Sequence, residues 1–250
     1  MGSLPVETNR KILIVIPTYN EYENIENLLG RLLNMPLGLH VLVVDDNSPD
    51  GTGKLVEEIS QRYNRIHILH RAKKEGIGPA YVAGFKWALE QGFDIVVEMD
   101  ADLSHRPRYL PKMIAELETY DVVAGSRWIK GGSIANWAFW RVLLSRLANL
   151  YASFILHVPI TDLTGGYNCY RSKVLRVIDL DSIHSDGYSF QIEMKYRSFQ
   201  HGFRIKEIPI TFPDRKAGDS KISKRIVLEA MWIVWKLKLT ANDMSQSSDR

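Results

Sequence analysis

The sequence lacks the features that mark secreted, membrane-spanning or nucleic-acid-binding proteins. Its single cysteine, Cys169, cannot form an internal disulfide, which fits a reducing compartment. No segment has about 18 uninterrupted apolar residues, so no membrane span is expected. The start of the chain has no cationic region followed by an apolar stretch, so no signal peptide is expected. The net charge of +3 is too small to predict a nucleic-acid partner.

Several common catalytic motifs are absent as well. The sequence contains no Walker loop, no Gly-x-Ser-x-Gly and no His-Glu-x-x-His, and its seven histidines have no metal-ligand spacing. His105 follows an acidic pair, and we interpret it as an ordinary loop histidine. With 250 residues, 45% of them hydrophobic, the chain can bury one sizeable core. We therefore expect a cytosolic protein, or one attached to a membrane from its cytosolic side.

What is present is a regular alternation of strand and helix signals. Short β-rich runs predict strands at 11–16, 41–44, 66–69, 95–99 and 121–125. Apolar residues with helical spacing predict helices at 21–34, 50–62, 79–91 and 107–118, and Asp50 is the predicted cap of the second. A helix at 188–200 and a strand at 204–212 follow, with Pro209 favouring a sheet edge. Helices of this length between strands indicate an α/β fold with a mostly parallel sheet.

Two predicted strands end in neighbouring carboxylates. The run 94–99 is followed by Asp100 and Asp102, and a second run ends at Asp46. Carboxylates at positions i and i+2 of an extended chain point the same way, so Asp100 and Asp102 can reach one divalent cation. Ligands of open α/β sheets bind at the carboxyl ends of the strands. A competing interpretation is that Asp102 only caps the helix that begins at Pro107.

The end of the first predicted strand has side chains that suit a nucleoside. Tyr19 provides a ring for stacking, and Glu21 a carboxylate that can accept hydrogen bonds from ribose or base. We interpret Asp46 in the same way. The alternative for the first segment is a helix N-cap at Asn20 with Glu21 in the first turn. The glycines of 75–80 predict a tight turn that lets the backbone pass close to a ligand or metal.

Two segments have a wider apolar arc than an ordinary surface helix needs. In 137–156 the polar residues share one arc and most of the rest is apolar. The segment 226–239 carries Trp232 and Trp235 between cationic flanks. This profile is typical of helices that lie in a bilayer interface. The alternative is a pair of helices packed on each other or on a partner subunit.

Cationic residues occur at several polar turns of the second half. The set comprises Arg127, Arg141, Arg215, Lys216 and Lys221. The last three belong to a glycine-containing segment at 214–221. Beside a dicarboxylate site, such a segment predicts a lid that closes over phosphates. Simple attraction of the basic segment to anionic lipid is the alternative.

Five motifs together resemble the family 2 inverting glycosyltransferases, and within them the dolichol-phosphate (polyprenol-phosphate) mannosyltransferases. The motifs are Ile16-Pro-Thr-Tyr-Asn-Glu21, Val44-Asp-Asp-Asn-Ser-Pro-Asp-Gly-Thr52, Met99-Asp-Ala-Asp-Leu-Ser-His105, Asp162-Leu-Thr-Gly165 and Arg215…Ser220-Lys221. The resemblance implies a GT-A fold, a GDP-mannose donor and a Mg²⁺ or Mn²⁺ cofactor. It also implies a dolichyl or other polyprenyl phosphate acceptor on the cytoplasmic face of a membrane, the endoplasmic reticulum in a eukaryote or the plasma membrane in a prokaryote.

The resemblance also implies roles for individual residues. Those implied to contact the guanosine part of the donor are Pro17, Tyr19, Glu21, Val44 and Asp46. Those implied to hold the metal and the diphosphate are Asp100, Ala101 and Asp102, with Ser104 at a position where some relatives have glutamine. Those implied to contact substrate phosphates are Arg127, Arg215 and Lys221, and we add Arg141 as a further cation that could reduce repulsion between two anionic substrates. The predicted catalytic residues are Asp102, Arg127 and Arg215.

The predicted reaction needs no strong general base. A lipid monophosphate is largely anionic near neutral pH because its second pKa is about 6. Its oxygen can attack the sugar in line and invert the anomeric centre, giving a polyprenyl β-mannosyl phosphate. Two alternatives stay open. One is the same transfer from UDP-glucose, and the other is a non-catalytic, nucleotide-sugar-binding scaffold subunit of a membrane complex.

The predicted domain organisation has three parts. Residues 1–10 form a flexible N-terminus, and 11–215 form the catalytic domain, which includes the amphipathic helix near 137–156. Residues 216–250 form a basic loop that serves the acceptor, an interfacial helix and a polar tail. We expect peripheral attachment to the membrane surface, through the chain's own helix or through small membrane anchor subunits.

Overall fold

The computed structural model describes residues 10–213 and 231–240, and a seven-stranded sheet organises most of them. In chain order the strands are β1 (Ile12–Thr18), β2 (His40–Asp45), β3 (Ile66–His70), β4 (Ile95–Glu98), β5 (Val122–Ser126), β6 (Ser133–Ala135), β7 (Asn168–Arg171), β8 (Ile205–Pro209) and β9 (Thr211–Pro213). The large sheet has the order β3-β2-β1-β4-β7-β5-β8, and β6 pairs with β9 in a second, two-stranded sheet.

Helices cover both faces of the large sheet. They are α1 (Tyr22–Leu33), α2 (Thr52–Ser60), α3 (Ile77–Glu90), α4 (Leu110–Glu116), α5 (Phe139–Leu156), α6 (Ser172–Val177) and α7 (Gly187–Gln200), with 3-10 turns at Pro107–Tyr109 and Leu180–Ser182. Residues 231–240 are helical and form α8. In the large sheet, all neighbouring strands pair in parallel except those beside β7. The predicted α/β fold with a mostly parallel sheet is therefore confirmed.

Alternating side chains of the strands divide the core into two layers. On β1, Ile12, Ile14 and Ile16 pack with apolar residues of α1, α2 and α4. Leu13 and Val15 point the other way and pack with α3, α6 and α7. Successive side chains of a strand point to opposite faces of the sheet. Because helices cover both faces here, successive residues of the strand from Ile12 to Ile16 are all apolar.

Parts of the fold differ from the sequence prediction. β7, which the sequence patterns do not predict, runs antiparallel between β4 and β5. The predicted helix 107–118 begins as a 3-10 turn and ends as α4 at Glu116. The residue that precedes α2 is Gly51 rather than Asp50, although the Asp50 carboxylate accepts from the backbone N–H of Thr52. The expected edge position of Pro209 is confirmed, because β8 is the last strand of the sheet.

The two amphipathic helices pack together through their inner faces. Val234 and Leu237 of α8 are buried in one cluster with Ala152 and Leu156 of α5. Within the polar arc of α5, Asn149 faces inward and is buried, whereas Arg146 is exposed. Large apolar side chains stay exposed as well, namely Phe139, Trp140, Leu143, Leu147, Leu150 and Phe154 on α5, and Met231, Trp232, Trp235 and Leu239 on α8. Packing of the two helices therefore buries one apolar face of each helix, and the large apolar side chains on the opposite face of each remain exposed.

Within the described ranges, no helix combines the length and the apolar character that a membrane crossing requires. Nearly all of the predicted flexible start, 1–10, lies outside the described residues, as does 216–250 apart from α8. The division of the chain at residue 215 remains a prediction.

Candidate active site

A cleft of about 260 Å³ opens at the carboxyl ends of β1, β2 and β4. Its lining consists of Pro17, Thr18, Tyr19, Glu21, Asp46, Lys74, Gly76, Ile77, Asp100, Ala101 and Asp102. The structure thus brings together most of the residues predicted to hold the donor and the metal. It does so because the carboxyl ends of neighbouring parallel strands meet at one edge of the sheet.

The acidic turn after β4 is held by hydrogen bonds of its own backbone. The N–H of Ser104 donates to Asp102 Oδ1 at 3.0 Å, and the N–H of Asp100 donates to His105 Nδ1 at 2.9 Å. The residue that precedes the following 3-10 turn is Arg106. The interpretation of Asp102 as a cap of that helix is therefore wrong, because its carboxylate caps the acidic turn instead.

The carboxylates of Asp100 and Asp102 fit a hard divalent cation. Both residues line the cleft, and carboxylate oxygen is a ligand that Mg²⁺ and Mn²⁺ prefer. In residues 10–213 and 231–240, no three His, Cys, Asp or Glu side chains form a metal-binding group. Two protein carboxylates would leave coordination positions for phosphate oxygens and water. Ser104 is buried and does not line the cleft.

Tyr19 and Lys74 form one wall of the cleft. The Tyr19 side chain is 37% exposed, and Lys74 Nζ lies 3.8 Å from the centroid of its ring. A cation over a ring face is attracted by the quadrupole of the ring. Lys74 is not among the residues predicted from the sequence. The signal that could have found it is the pair Lys73-Lys74, which follows a predicted strand at the edge where ligands bind.

The two carboxylates of the predicted nucleoside pocket have protein partners. Asp46 Oδ1 accepts from Arg71 Nη1 at 2.6 Å, and its Oδ2 accepts from the N–H of Glu75 at 3.2 Å. Glu21 Oε2 accepts from the side-chain amide of Asn24 at 3.0 Å. These contacts fix the direction of each carboxylate at the rim of the cleft.

The alternative of an N-cap at Asn20 is wrong. Glu21 is the residue that precedes α1, and no side-chain cap hydrogen bond forms there. Asn20 itself has a φ of +61°, in the left-handed region that N-cap residues do not adopt. The left-handed residue turns the chain from β1 into α1 beside Tyr19.

The glycine turn before α3 lies at the cleft, whereas the side chain of Val44 does not. Gly76 lines the cleft with a φ of +112°, so a tight turn does bring the backbone to the site. Asp186 Oδ1 accepts from the N–H of Gly78 at 2.8 Å and supports this turn from behind. Val44 is fully buried in the core under α3 and does not line the cleft. Any contact of Val44 with a nucleotide would have to come from its main chain.

Arg127 lies outside the residues that line the cleft. It is buried, and its guanidinium makes a two-point contact with Asp162 at 2.7 and 2.8 Å and a further bond to Thr164 Oγ1 at 2.8 Å. Burial alone would raise the pKa of Asp162, but the charge and hydrogen bonds of Arg127 outweigh it and lower that pKa. In this geometry Arg127 is a partner of Asp162, and the predicted phosphate contact would require the pair to rearrange.

Of the other predicted cations, only Arg141 belongs to the part of the chain that the structure describes, and it does not line the cleft. Arg141 is on α5, with its guanidinium carbon 3.8 Å from the ring centroid of Trp137. Arg215 and Lys221 lie outside the described residues, as does Lys216. Their predicted contacts to phosphate remain predictions.

A buried polar layer lies below the acidic turn, and the sequence analysis did not identify it. Glu98 Oε2 accepts from Asn168 Nδ2 at 2.7 Å, and Lys195 Nζ donates to the carbonyl of Gly165 at 2.6 Å. Burial raises the pKa of Glu98 to about 7 and lowers that of Lys195 to about 8. His105 is also buried and bonded here, so its interpretation as an ordinary loop histidine is wrong.

Comparison with known proteins agrees with this architecture. The Glycosyl transferase family 2 profile matches residues 13–179. Undecaprenyl-phosphate mannosyltransferase of Micrococcus luteus is 47% identical over 92% of this chain and 95% of its own. Polyprenol monophosphomannose synthase of Mycolicibacterium smegmatis is 45% identical over 92% of this chain and 87% of its own.

Solved structures share the fold at much lower sequence identity. The crystal structure of glucosyl-3-phosphoglycerate synthase from Mycobacterium tuberculosis with Mn²⁺, UDP and phosphoglyceric acid has a TM-score of 0.68 and 18% identity. The superposition covers 92% of this chain and 79% of that one. The GT-A fold implied by the sequence motifs is therefore confirmed. With the profile match over most of the chain and two relatives above 40% identity, this chain belongs to glycosyltransferase family 2.

Proposed function

We propose that this chain transfers mannose from GDP-mannose to a polyprenyl phosphate, dolichyl phosphate included, with inversion at the anomeric carbon. The observation that carries the proposal is one cleft in which Asp100 and Asp102 adjoin Tyr19, Glu21 and Asp46. The names of the two bacterial relatives support mannose as the sugar and a polyprenyl phosphate as the acceptor. GDP-mannose as the donor rests on the resemblance of the motifs.

In this proposal each part of the cleft has a separate task. Asp100 and Asp102 hold Mg²⁺ or Mn²⁺, which would neutralise the charge that grows on the leaving diphosphate. Tyr19 stacks on the nucleoside, while Glu21 and Asp46 accept hydrogen bonds from it. Cations on the predicted phosphate-binding positions, namely Arg141, Arg215 and Lys221, reduce the repulsion between two anionic substrates.

The acceptor supplies its own nucleophile. Its phosphate is anionic near neutral pH because the second pKa is about 6. The phosphate oxygen forms a bond to the anomeric carbon as the bond from that carbon to the diphosphate breaks. A single displacement of this kind inverts the configuration and needs no proton transfer to a protein base.

The exposed apolar faces of α5 and α8 support peripheral attachment to the cytoplasmic face of a membrane. Leu143, Leu147, Leu150 and Phe154 are spaced three or four residues apart and form one exposed stripe on α5. Trp232 and Trp235 are exposed on α8. Tryptophan is enriched where a protein meets the lipid head groups. A small anchor subunit covering the same faces is the alternative attachment.

The donor and the reaction are tested together with purified protein. We would incubate it with labelled GDP-mannose or UDP-glucose, Mn²⁺ and a polyprenyl phosphate, and measure the label in extracted lipid. We expect lipid-linked mannose with the β configuration by NMR. Transfer from UDP-glucose alone would indicate the glucosyltransferase, and no transfer from either donor would indicate the scaffold.

The same assay tests the metal ligands. Asp102→Asn should lower kcat about 10²- to 10³-fold. The control, Asp181→Asn, changes an exposed ion pair and should keep the wild-type kcat.

A further inference from the structure

The carboxylate of Asp100 has a buried side chain on either side of it. Tyr81 Oη donates to Asp100 Oδ1 at 3.3 Å. His105 Nε2 lies 3.8 Å from Asp100 Oδ2, which is beyond a direct hydrogen bond and close enough for electrostatic attraction. Tyr81 comes from α3 and His105 from the acidic turn, so two separate elements meet at one carboxylate.

The backbone of Asp100 determines which nitrogen of His105 carries the proton. A backbone N–H can only donate, so His105 Nδ1 must accept the 2.9 Å bond from Asp100. The proton of the neutral ring is therefore on Nε2, the nitrogen on the side of Asp100 Oδ2. One ring thus binds the main chain of Asp100 and presents a donor to its side chain.

Packing holds both of these side chains in place. The His105 ring stacks on Tyr167 with centroids 4.8 Å apart and an interplanar angle of 13°. The Tyr81 ring stacks on Phe190 at 5.7 Å and 5°. Neither His105 nor Tyr81 is more than 1% exposed.

We propose that Tyr81 and His105 are positioning residues for Asp100. They hold its carboxylate in one orientation before the metal and the donor diphosphate arrive. A carboxylate held by outer partners loses less conformational freedom when it binds a metal, and such partners typically contribute 10- to 100-fold in metal affinity. The inference rests on the proposed function, because it assigns these side chains to a metal ligand of that site.

The test measures metal affinity rather than activity alone. We would titrate the protein with Mn²⁺ in the presence of GDP by isothermal calorimetry, for the wild type, Tyr81→Phe, His105→Phe and His105→Asn. His105→Phe keeps a ring to stack on Tyr167 and loses both nitrogens. His105→Asn restores an acceptor for the N–H of Asp100. Tyr196→Phe is the matched control, because Tyr196 is buried on α7 in the cluster with α5 and α8.

We expect Tyr81→Phe and His105→Phe each to weaken Mn²⁺ binding about tenfold. His105→Asn should recover part of the affinity, and Tyr196→Phe should bind as the wild type does. Excess Mn²⁺ should restore kcat in the weakened variants and leave the KM for the donor unchanged, with unfolding temperatures close to that of the control.

Two results would overturn the inference while the proposed function stands. One is wild-type Mn²⁺ affinity in both Tyr81→Phe and His105→Phe. The other is a loss of affinity that follows the loss of thermal stability in every variant, the control included, since that is the mark of a merely structural role. Failure of the proposed metal site looks different. Wild-type protein would bind no Mn²⁺, or Asp100→Asn would bind it equally well, and both proposals would fall.

Discussion

At the scale of single residues, the buried pair of Arg127 and Asp162 belongs to a network that reaches α5 through Thr164. Asp162 also accepts from the backbone N–H of Arg127 at 2.9 Å, so the carboxylate is bound from three donors. Thr164 continues the network, accepting from Arg127 and from Asn149 on α5. Because every member is buried, the loss of one charge leaves the other away from solvent and without its counter-charge.

We expect Asp162→Asn to destabilise the protein by about 3 kcal/mol, since it leaves the Arg127 cation buried without its counter-charge. Chemical denaturation measures the change in the free energy of unfolding. The control is Asp181→Asn, which removes an exposed ion pair with Lys86 and should change stability by less than about 1 kcal/mol. Equal effects of the two substitutions would contradict a structural role of the buried pair.

The His40–His67 pair predicts a loss of stability in mild acid. The rings stack with centroids 5.4 Å apart, and their nitrogens lie 3.1 Å apart. Burial lowers the pKa of both, helped by Arg65 and Lys11 at His40 and by His40 at His67. The unfolded chain therefore takes up protons at higher pH than the folded one does. Stability should fall as pH drops below about 6.5 and level off below the folded pKa values.

Thermal unfolding between pH 7.5 and 5 tests this pair. The unfolding temperature of the wild type should fall more steeply below pH 6.5 than that of a His40→Gln, His67→Gln double variant. His201→Gln, at an exposed site, is the control and should follow the wild type. A double variant with the wild-type slope would show that other groups cause the acid sensitivity.

At the scale of elements, the close approach of α3 to the sheet depends on Gly84. A Cβ at this position would collide with a methyl group of Val15 on β1 and lie 3.3 Å from one of Val44 on β2. Valine side chains in a covered strand cannot turn away easily, because they are stiff at χ1. The helix that carries Tyr81 and begins at the cleft is therefore seated directly on the strands that carry the site.

Overpacking in Gly84→Ala should cost about 1–3 kcal/mol, and the better helix propensity of alanine offsets about 1 kcal/mol of it, so we expect a net destabilisation of up to about 2 kcal/mol. Gly30→Ala in α1 is the matched control, because a Cβ there meets nothing within 4 Å. We expect it to stabilise by about 0.5–1 kcal/mol. Urea unfolding should show a lower free energy of unfolding for Gly84→Ala and a higher one for Gly30→Ala. A higher value for both variants would contradict the contact with Val15.

At the scale of the whole molecule, α5 is amphipathic in the sense opposite to that of an ordinary surface helix. The side chain of Asn149 bonds inward to Thr164, whereas six bulky apolar side chains of the helix are exposed. Phe139 and Phe154 are 80% and 77% exposed. An exposed apolar surface of this kind marks an interaction site, and the proposed polyprenyl phosphate acceptor would have its chain in a bilayer beside it.

Replacing Trp140 and Phe154 by serine should weaken binding to liposomes by about tenfold or more. The loss follows from apolar area that no longer enters the bilayer, at about 25 cal/mol per Å². Cosedimentation with vesicles measures binding, and the unfolding temperature should stay unchanged because both side chains are exposed. Tyr63→Ser, at an exposed aromatic residue after α2, is the control. Equal vesicle binding by all three proteins would favour a protein partner for this surface.

The sequence by itself determined the α/β fold and most of the cleft. Apolar runs of strand and helix length report local burial, and the carboxyl ends of parallel strands must meet, so Tyr19, Asp46, Asp100 and Asp102 could be grouped without coordinates. Three of the five family motifs, at 16–21, 44–52 and 99–105, lie at those strand ends and therefore carry the same information.

Only the tertiary structure decided where the long-range partners lie. No hydrophobic periodicity in the sequence indicates that β7 inserts between β4 and β5. None indicates that Arg127 pairs with Asp162, 35 residues away. The same holds for the stacking of His105 on Tyr167, which brings a distant segment against the ring that bonds to Asp100. The physical reason is that hydrogen bonds and ion pairs inside a core depend on which distant segments meet there, whereas apolar periodicity depends on neighbours along the chain.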